Sequence, residues 1–139
     1  MPLFRLAFFG LLPQHFMANE PAMNLEFNRL VRRTEYLGAA AQLTGAIIVG
    51  TEYLGSVIEG RRGAVSEAFL RFASEGIYAS VTLVGADRIE AHRFSGFSVT
   101  PISHESAETP FRPDLMTFAE LTSFASLAVD DIMDIGAKA

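Results

Sequence analysis

Residues 43–60 read Leu43-Thr44-Gly45-Ala46-Ile47-Ile48-Val49-Gly50-Thr51-Glu52-Tyr53-Leu54-Gly55-Ser56-Val57-Ile58-Glu59-Gly60. Two apolar runs, Leu43 to Val49 and Tyr53 to Ile58, flank the short connection Gly50-Thr51-Glu52. Val and Ile suit a pleated surface and Gly opens a tight reversal, so the stretch predicts a β-hairpin. On its second strand Leu54, Ser56 and Ile58 share one face by period two.

Towards the N-terminus, Leu3 to Phe9 is a further apolar run, with Phe4, Leu6 and Phe8 on one face. After the proline-punctuated connection Gly10 to Pro21, the residues Met23, Phe27, Leu30, Val31 and Leu37 take up helical spacing. Gly38 stands where a left-handed cap would end that helix. Towards the C-terminus, Gly60 to Gly63 predicts a turn into a second helix. Val65, Phe69 and Phe72 form its apolar stripe, Glu67 and Arg71 an i,i+4 pair, and Gly76 its stop. Ser80 to Val84 and Arg93 to Val99 predict two more strands.

The order βαββαββ predicts an α+β, ferredoxin-like sandwich over residues 1–100, with two helices on one face of a mixed or antiparallel sheet. Residues 100–113 carry Pro101, Pro110 and Pro113 and read as a linker. Thr117 and Glu120 then have capping-box spacing. Leu121, Phe124, Leu127, Ala128, Ile132 and Ile135 make the rest a helical extension. The segment 101–139 is therefore expected to pack on the domain or on a dimer partner.

At 139 residues the chain fits one domain with a real core. With 16 acidic against 11 basic residues the net charge is −5, which argues against a nucleic-acid partner. Its 50% hydrophobic content is broken into short runs, none of membrane-spanning length, and a cytoplasmic setting is the expectation. The absence of cysteine excludes disulfides, thiol catalysis and thiolate metal sites.

His15, His92 and His104 are too scattered for a metal site. Ser56, Ser66 and Ser95 sit in no nucleophile pattern. Asp130, Asp131 and Asp134 lack calcium-loop spacing. Gly60-Arg61-Arg62-Gly63 lacks the Lys and Ser/Thr of a phosphate loop. No catalytic group argues for an enzyme.

The block Ala41-Gln42-Leu43-Thr44-Gly45-Ala46, followed without a gap by Val57-Ile58-Glu59-Gly60, resembles the BLUF family of blue-light sensors. Val65 and the run Arg93-Phe94-Ser95-Gly96-Phe97 match it further downstream. The resemblance covers about the first hundred residues. It implies the same ferredoxin-like sheet, with FAD between the two helices and its ring against the sheet. It also implies a light-driven electron and proton transfer from a first-strand tyrosine, a third-strand glutamine that rearranges its hydrogen bonds, and an asparagine holding the ring edge.

Carried over by position, the tyrosine falls on Phe8, the asparagine on Gly38 and the glutamine on Ser56. The family's tryptophan and methionine fall on Phe97 and Val99, and an arginine–histidine pair after the second helix falls on Ile77 and Tyr78. Phenylalanine has no dissociable hydroxyl. A serine cannot exchange donor and acceptor as an amide does. Glycine offers no side chain at all.

The resemblance thus implies a sensor-family domain with a degenerate flavin site that holds no cofactor. It would act by protein contacts, through the sheet face and the C-terminal helix, as a homodimer or larger homo-oligomer or on a protein effector. The alternative is an FAD-binding blue-light photoreceptor with an atypical pocket.

Overall fold

The computed structural model describes residues 2–13, 25–74, 78–102 and 108–138 (side chains at 26 and 131–138 aside). In strands β2 (Thr44–Val49) and β3 (Tyr53–Arg61), the residues from Gly45 to Val49 and from Leu54 to Gly60 are buried whichever face they point to. Ala46, Ile47 and Ile48 are one such run, and Leu54, Val57 and Ile58 are likewise enclosed. Neither face of these strands meets water, so the sheet needs a layer on each side.

The other elements are β1 (Leu3–Leu11), α1 (Leu25–Ala40), α2 (Arg62–Ser74), β4 (Ser80–Ile89), β5 (Phe97–Pro101) and α3 (Phe118–Lys138). They form a five-stranded sheet in the order β4-β1-β3-β2-β5. Pairings are antiparallel except for β5, which runs parallel to β2 at the edge. The fold is α+β and ferredoxin-like, with β5 as the added strand. No helix among the described residues is long and apolar enough to cross a membrane.

Helices α1 and α2 pack on the face that carries Phe8, Ile47, Leu54 and Ile58. Helix α3 packs on the opposite face, where Ala7, Ala46, Ile48 and Val57 meet Phe111, Leu121 and Ala125. The sheet face expected to make protein contacts is therefore covered by the chain's own C-terminal helix. What remains open lies outside it: Leu127 on α3 is 63% exposed and Leu115, just before it, 73%.

The capping box forms as its spacing predicts. The Thr117 amide donates to Glu120 Oε1 at 3.0 Å, and the Glu120 amide to Thr117 Oγ1 at 3.2 Å. Several boundaries differ from expectation. Gly38 does not end α1, which runs on to Ala40; the left-handed residue is Gln42, with φ 59°. The amides of Gln42 and Leu43 bond back to the carbonyls of Ala39 and Gly38, a Schellman closure with glutamine in the glycine position.

No turn separates β3 from α2, since β3 reaches Arg61 and α2 starts at Arg62. Strand β4 continues to Ile89. The last strand begins at Phe97 rather than Arg93, because the Arg93 and Phe94 amides donate to the Glu59 carboxylate instead of to a neighbouring strand. Within the expected linker, Phe111 is buried and Pro113–Leu115 forms a 3-10 turn. Met23, Gly76, Ile77, His15 and His104 lie outside the described residues, as do the side chains of Asp131, Ile132, Asp134 and Ile135.

Candidate functional site

Antiparallel register places Phe8 of β1 beside Ser56 of β3, on the face beneath α1 and α2. Both are wholly buried. A serine hydroxyl enclosed by apolar rings needs a partner, and Ser56 finds the phenol of Tyr78, hydroxyl to hydroxyl. Tyr78 enters from the segment before β4 and lays its ring across β1 at Gly10. A Cβ on that glycine would fall 2.5 Å from Tyr78 Cδ1. Phe8 packs edge-on against Phe69 of α2, centroids 5.0 Å apart, and lies 5.9 Å from the Tyr78 ring. Burial pushes the Tyr78 phenol up, the Ser56 bond offsets this in part, and the group stays protonated.

Phe97, at the start of β5, occupies the other end of this layer. Its ring sits on the backbone of α1 at Gly38, where a Cβ would come within 2.5 Å of Phe97 Cδ1. It also meets Phe72 of α2 at 5.9 Å. Val99 is half-buried against the same cluster, and its amide donates to Glu35 Oε2 at 3.4 Å. Between α1 and α2 an open groove of about 330 Å³ remains, lined by Leu37, Ala40, Ala64, Ala68 and Phe72, with Glu67 and Arg71 on its rim.

A second polar cluster lies across the sheet. The Glu59 carboxylate, fully buried at the end of β3, accepts from Arg5 Nε at 2.8 Å and Thr44 Oγ1 at 2.8 Å. It also accepts the Arg93 and Phe94 amides at 3.1 and 3.2 Å. Desolvation works to raise its pKa, but these donors together outweigh that and hold the carboxyl below its ordinary value.

His92 Nδ1 stands 2.6 Å from Thr44 Oγ1. The single Thr44 proton goes to the ionised carboxylate, so His92 Nδ1 must carry the proton between them and donate to the threonine oxygen. A hydroxyl that accepts from histidine is not being deprotonated by it. The Glu–Thr–His contact is a structural tie and activates no nucleophile.

The family model for BLUF, sensors of blue light using FAD, matches residues 4–100. The chain belongs to the BLUF family.

Solved structures agree in fold. The photo-activated state of BlsA superposes with a TM-score of 0.73 at 14% identity, covering 91% of this chain and 94% of that one. The dark state of BlrB, a BLUF protein, gives 0.65 at 21%, covering 93% and 97%. Klebsiella pneumoniae BlrP1, in its calcium/cy-diGMP complex at pH 8.0, gives 0.60 at 19%, covering 76% of this chain and 26% of that one. At these identities the likeness speaks for the fold alone. No curated protein sequence matches the chain significantly.

A BLUF fold implies FAD, whose ring edge needs polar partners on the sheet and at the end of the first helix. In this BLUF domain Ser56 has given its hydroxyl to Tyr78, and the Gly38 position is covered by a phenyl ring. Every buried side-chain nitrogen or oxygen among the described residues already has a partner. Among the described residues no buried side-chain polar atom waits for a ligand, and the space between helices and sheet at Ser56 holds aromatic side chains. The residues present do not fit an isoalloxazine ring.

Of the positions singled out in the sequence, Phe8, Ser56 and Tyr78 come together, Gly38 and Phe97 meet as a second pair, and Val99 flanks them. Tyr78, which falls on the histidine of the family's arginine–histidine pair, sends its side chain inward to Ser56. Sequence reading also passed over Glu59 as a ligand for Arg5. No spacing within one segment could have shown it: the two residues are cross-strand partners only once the β1–β3 register is known.

Proposed function

We propose that this chain is a BLUF-family regulatory domain that works without flavin photochemistry, through protein contacts, and is not an enzyme. The observation that carries the reading is the Phe8–Ser56 cross-strand pair. It supplies neither the oxidisable phenol on β1 nor the switchable amide on β3. The contacts are made as a homodimer or larger homo-oligomer, or with a protein effector, in the cytoplasm. The shallow surface groove along α3 that Met116, Ala119, Phe124 and the exposed Leu127 line supports that reading, because a contiguous apolar patch on an outer helix face suits association. Phe8, Gly38, Ser56, Phe97, Val99, Ile77 and Tyr78 stand for the family's flavin contacts in substituted form.

The test is an absorption spectrum of the purified protein before and after incubation with FAD, paired with sedimentation velocity over a range of concentrations. The expected result is no flavin band and a sedimentation coefficient that rises with concentration, or a co-purifying partner. Bound flavin with a light-induced spectral shift would replace this reading with the atypical photoreceptor. A strict monomer with no partner would remove the contact mechanism.

A further inference from the structure

Resting on the flavin-free reading above, we propose that Tyr78 is a tethered occupant of the ring slot: the chain fills with its own phenol the place where its family holds a flat cofactor. The slot is thereby a phenol-binding site, satisfied from within, and the folded state needs no bound ligand.

Three contacts define the slot around this ring. Ser56 on its floor supplies one hydroxyl, placed by the β1–β3 register beside Phe8. Gly10 leaves room both for the Ser80 carbonyl of β4 and for the ring to lie against the β1 backbone; a Cβ there would collide with the Ser80 oxygen and fall 2.5 Å from Tyr78 Cδ1. Phe8 closes one side at 5.9 Å and is itself backed by Phe69 of α2. A floor hydroxyl, a cleared backbone and an aromatic wall are what a site for a hydroxylated ring requires. Here they converge on a residue of the same polypeptide. Tethering removes the translational cost that a free ligand would pay, so even a weak intrinsic affinity for a phenol holds the ring in place.

The same observations set the specificity. The Ser56 hydroxyl is buried and would be left without a partner by an apolar ring of equal shape. A site built to hydrogen-bond a hydroxyl discriminates strongly against the analogue lacking it. The slot therefore takes 4-methylphenol, the Tyr78 side chain cut at its Cβ–Cα bond, in preference to toluene.

The experiment uses the full chain with Tyr78→Gly, followed by thermal melting with millimolar 4-methylphenol or toluene. The expected result is a depressed Tm that 4-methylphenol raises at concentrations at least about tenfold lower than toluene requires. The preference should disappear when Ser56→Ala is added. No rescue, or equal rescue by both rings, would overturn the proposal and leave the flavin-free reading standing. FAD bound by the unaltered chain would overturn both.

Should Tyr78→Gly fail to fold with either ring, the unaltered protein decides, by carbon-13 labelling of the tyrosine ζ carbons. Tyr78 must keep its neutral-phenol chemical shift about one pH unit above the ordinary phenol value of about 10. A Tyr78 signal that moves at that ordinary value would show that the slot is open to solvent and would overturn the proposal.

Discussion

Phe97 rests on the α1 backbone at Gly38, so closely that a single added methyl would lie 2.5 Å from its ring. Glycine inside a helix costs about 1 kcal/mol relative to alanine. At this position that cost admits an aromatic side chain between α1 and α2, where it also meets Phe72. Gly38→Ala should therefore lower stability by roughly 1–2 kcal/mol in urea unfolding, despite alanine's better helix propensity. Combined with Phe97→Leu, the loss should shrink below the sum of the two single changes, giving a coupling of about 0.5–3 kcal/mol. Strict additivity would mean that the ring does not lie where the glycine lets it.

The Ser56–Tyr78 hydroxyl pair gives a second cycle. Tyr78→Phe leaves the buried Ser56 oxygen without its partner, and Ser56→Ala does the same to the phenol. Each should cost about 1–3 kcal/mol, whereas the double change should cost little more than one of them. Chemical denaturation of the four proteins checks this.

Alkaline pH should act through the same tyrosine. Burial raises the Tyr78 phenol in the folded chain, while the unfolded chain loses that proton near its ordinary value of about 10. Above that pH the unfolded state binds fewer protons, so stability must fall as pH climbs. In Tyr78→Phe this part of the decline should be missing from the stability profile measured between pH 9 and 11, limits of about one unit either side of that value.

Acid should loosen the opposite layer. Glu59 is held below its ordinary value of 4.5, so its contribution is present above that pH and is lost as pH falls through the lower folded value. Glu59→Gln strands Arg5 without its buried counter-charge and should cost about 3–5 kcal/mol at neutral pH. The variant's unfolding free energy should also depend less on pH below about 4.5 than that of the unaltered chain. Equal acid sensitivity in both proteins would remove Glu59 from this role.

Helix α3 should respond to its cap. Thr117→Ala removes the oxygen that accepts the Glu120 amide and should lower stability by about 1 kcal/mol, read as a reduced urea midpoint with an unchanged slope.

The strands and the β2–β3 hairpin were legible because their evidence is local, whereas the order of the other strands in the sheet was not. The hairpin at residues 43–60 needed only its apolar runs and one glycine-led reversal, and the face shared by Leu54, Ser56 and Ile58 followed from period two. Boundaries were harder. Gly38 looked like a helix stop because glycine has two uses, freedom to take positive φ and absence of bulk, and only tertiary structure tells them apart. Here the second applies, and Gln42 takes the left-handed turn.

Arg93 and Phe94 have strand-like side chains, but their amides answer to a buried carboxylate distant in sequence. The inward path of Tyr78 was likewise invisible. It depends on Gly10 and Ser56 from two other strands, and no spacing within one segment records such a meeting.

The two layers on either side of the sheet are separated by a single peptide bond in β3. Ser56 holds Tyr78 on one face, while its neighbour Gly55 seats Phe111 on the other, where a Cβ would fall 2.6 Å from Phe111 Cζ. Neither layer can come apart without displacing the strand on which its counterpart is built. The domain is thus a single cooperative unit, in which tyrosine environment and helix content should be lost together, at one midpoint.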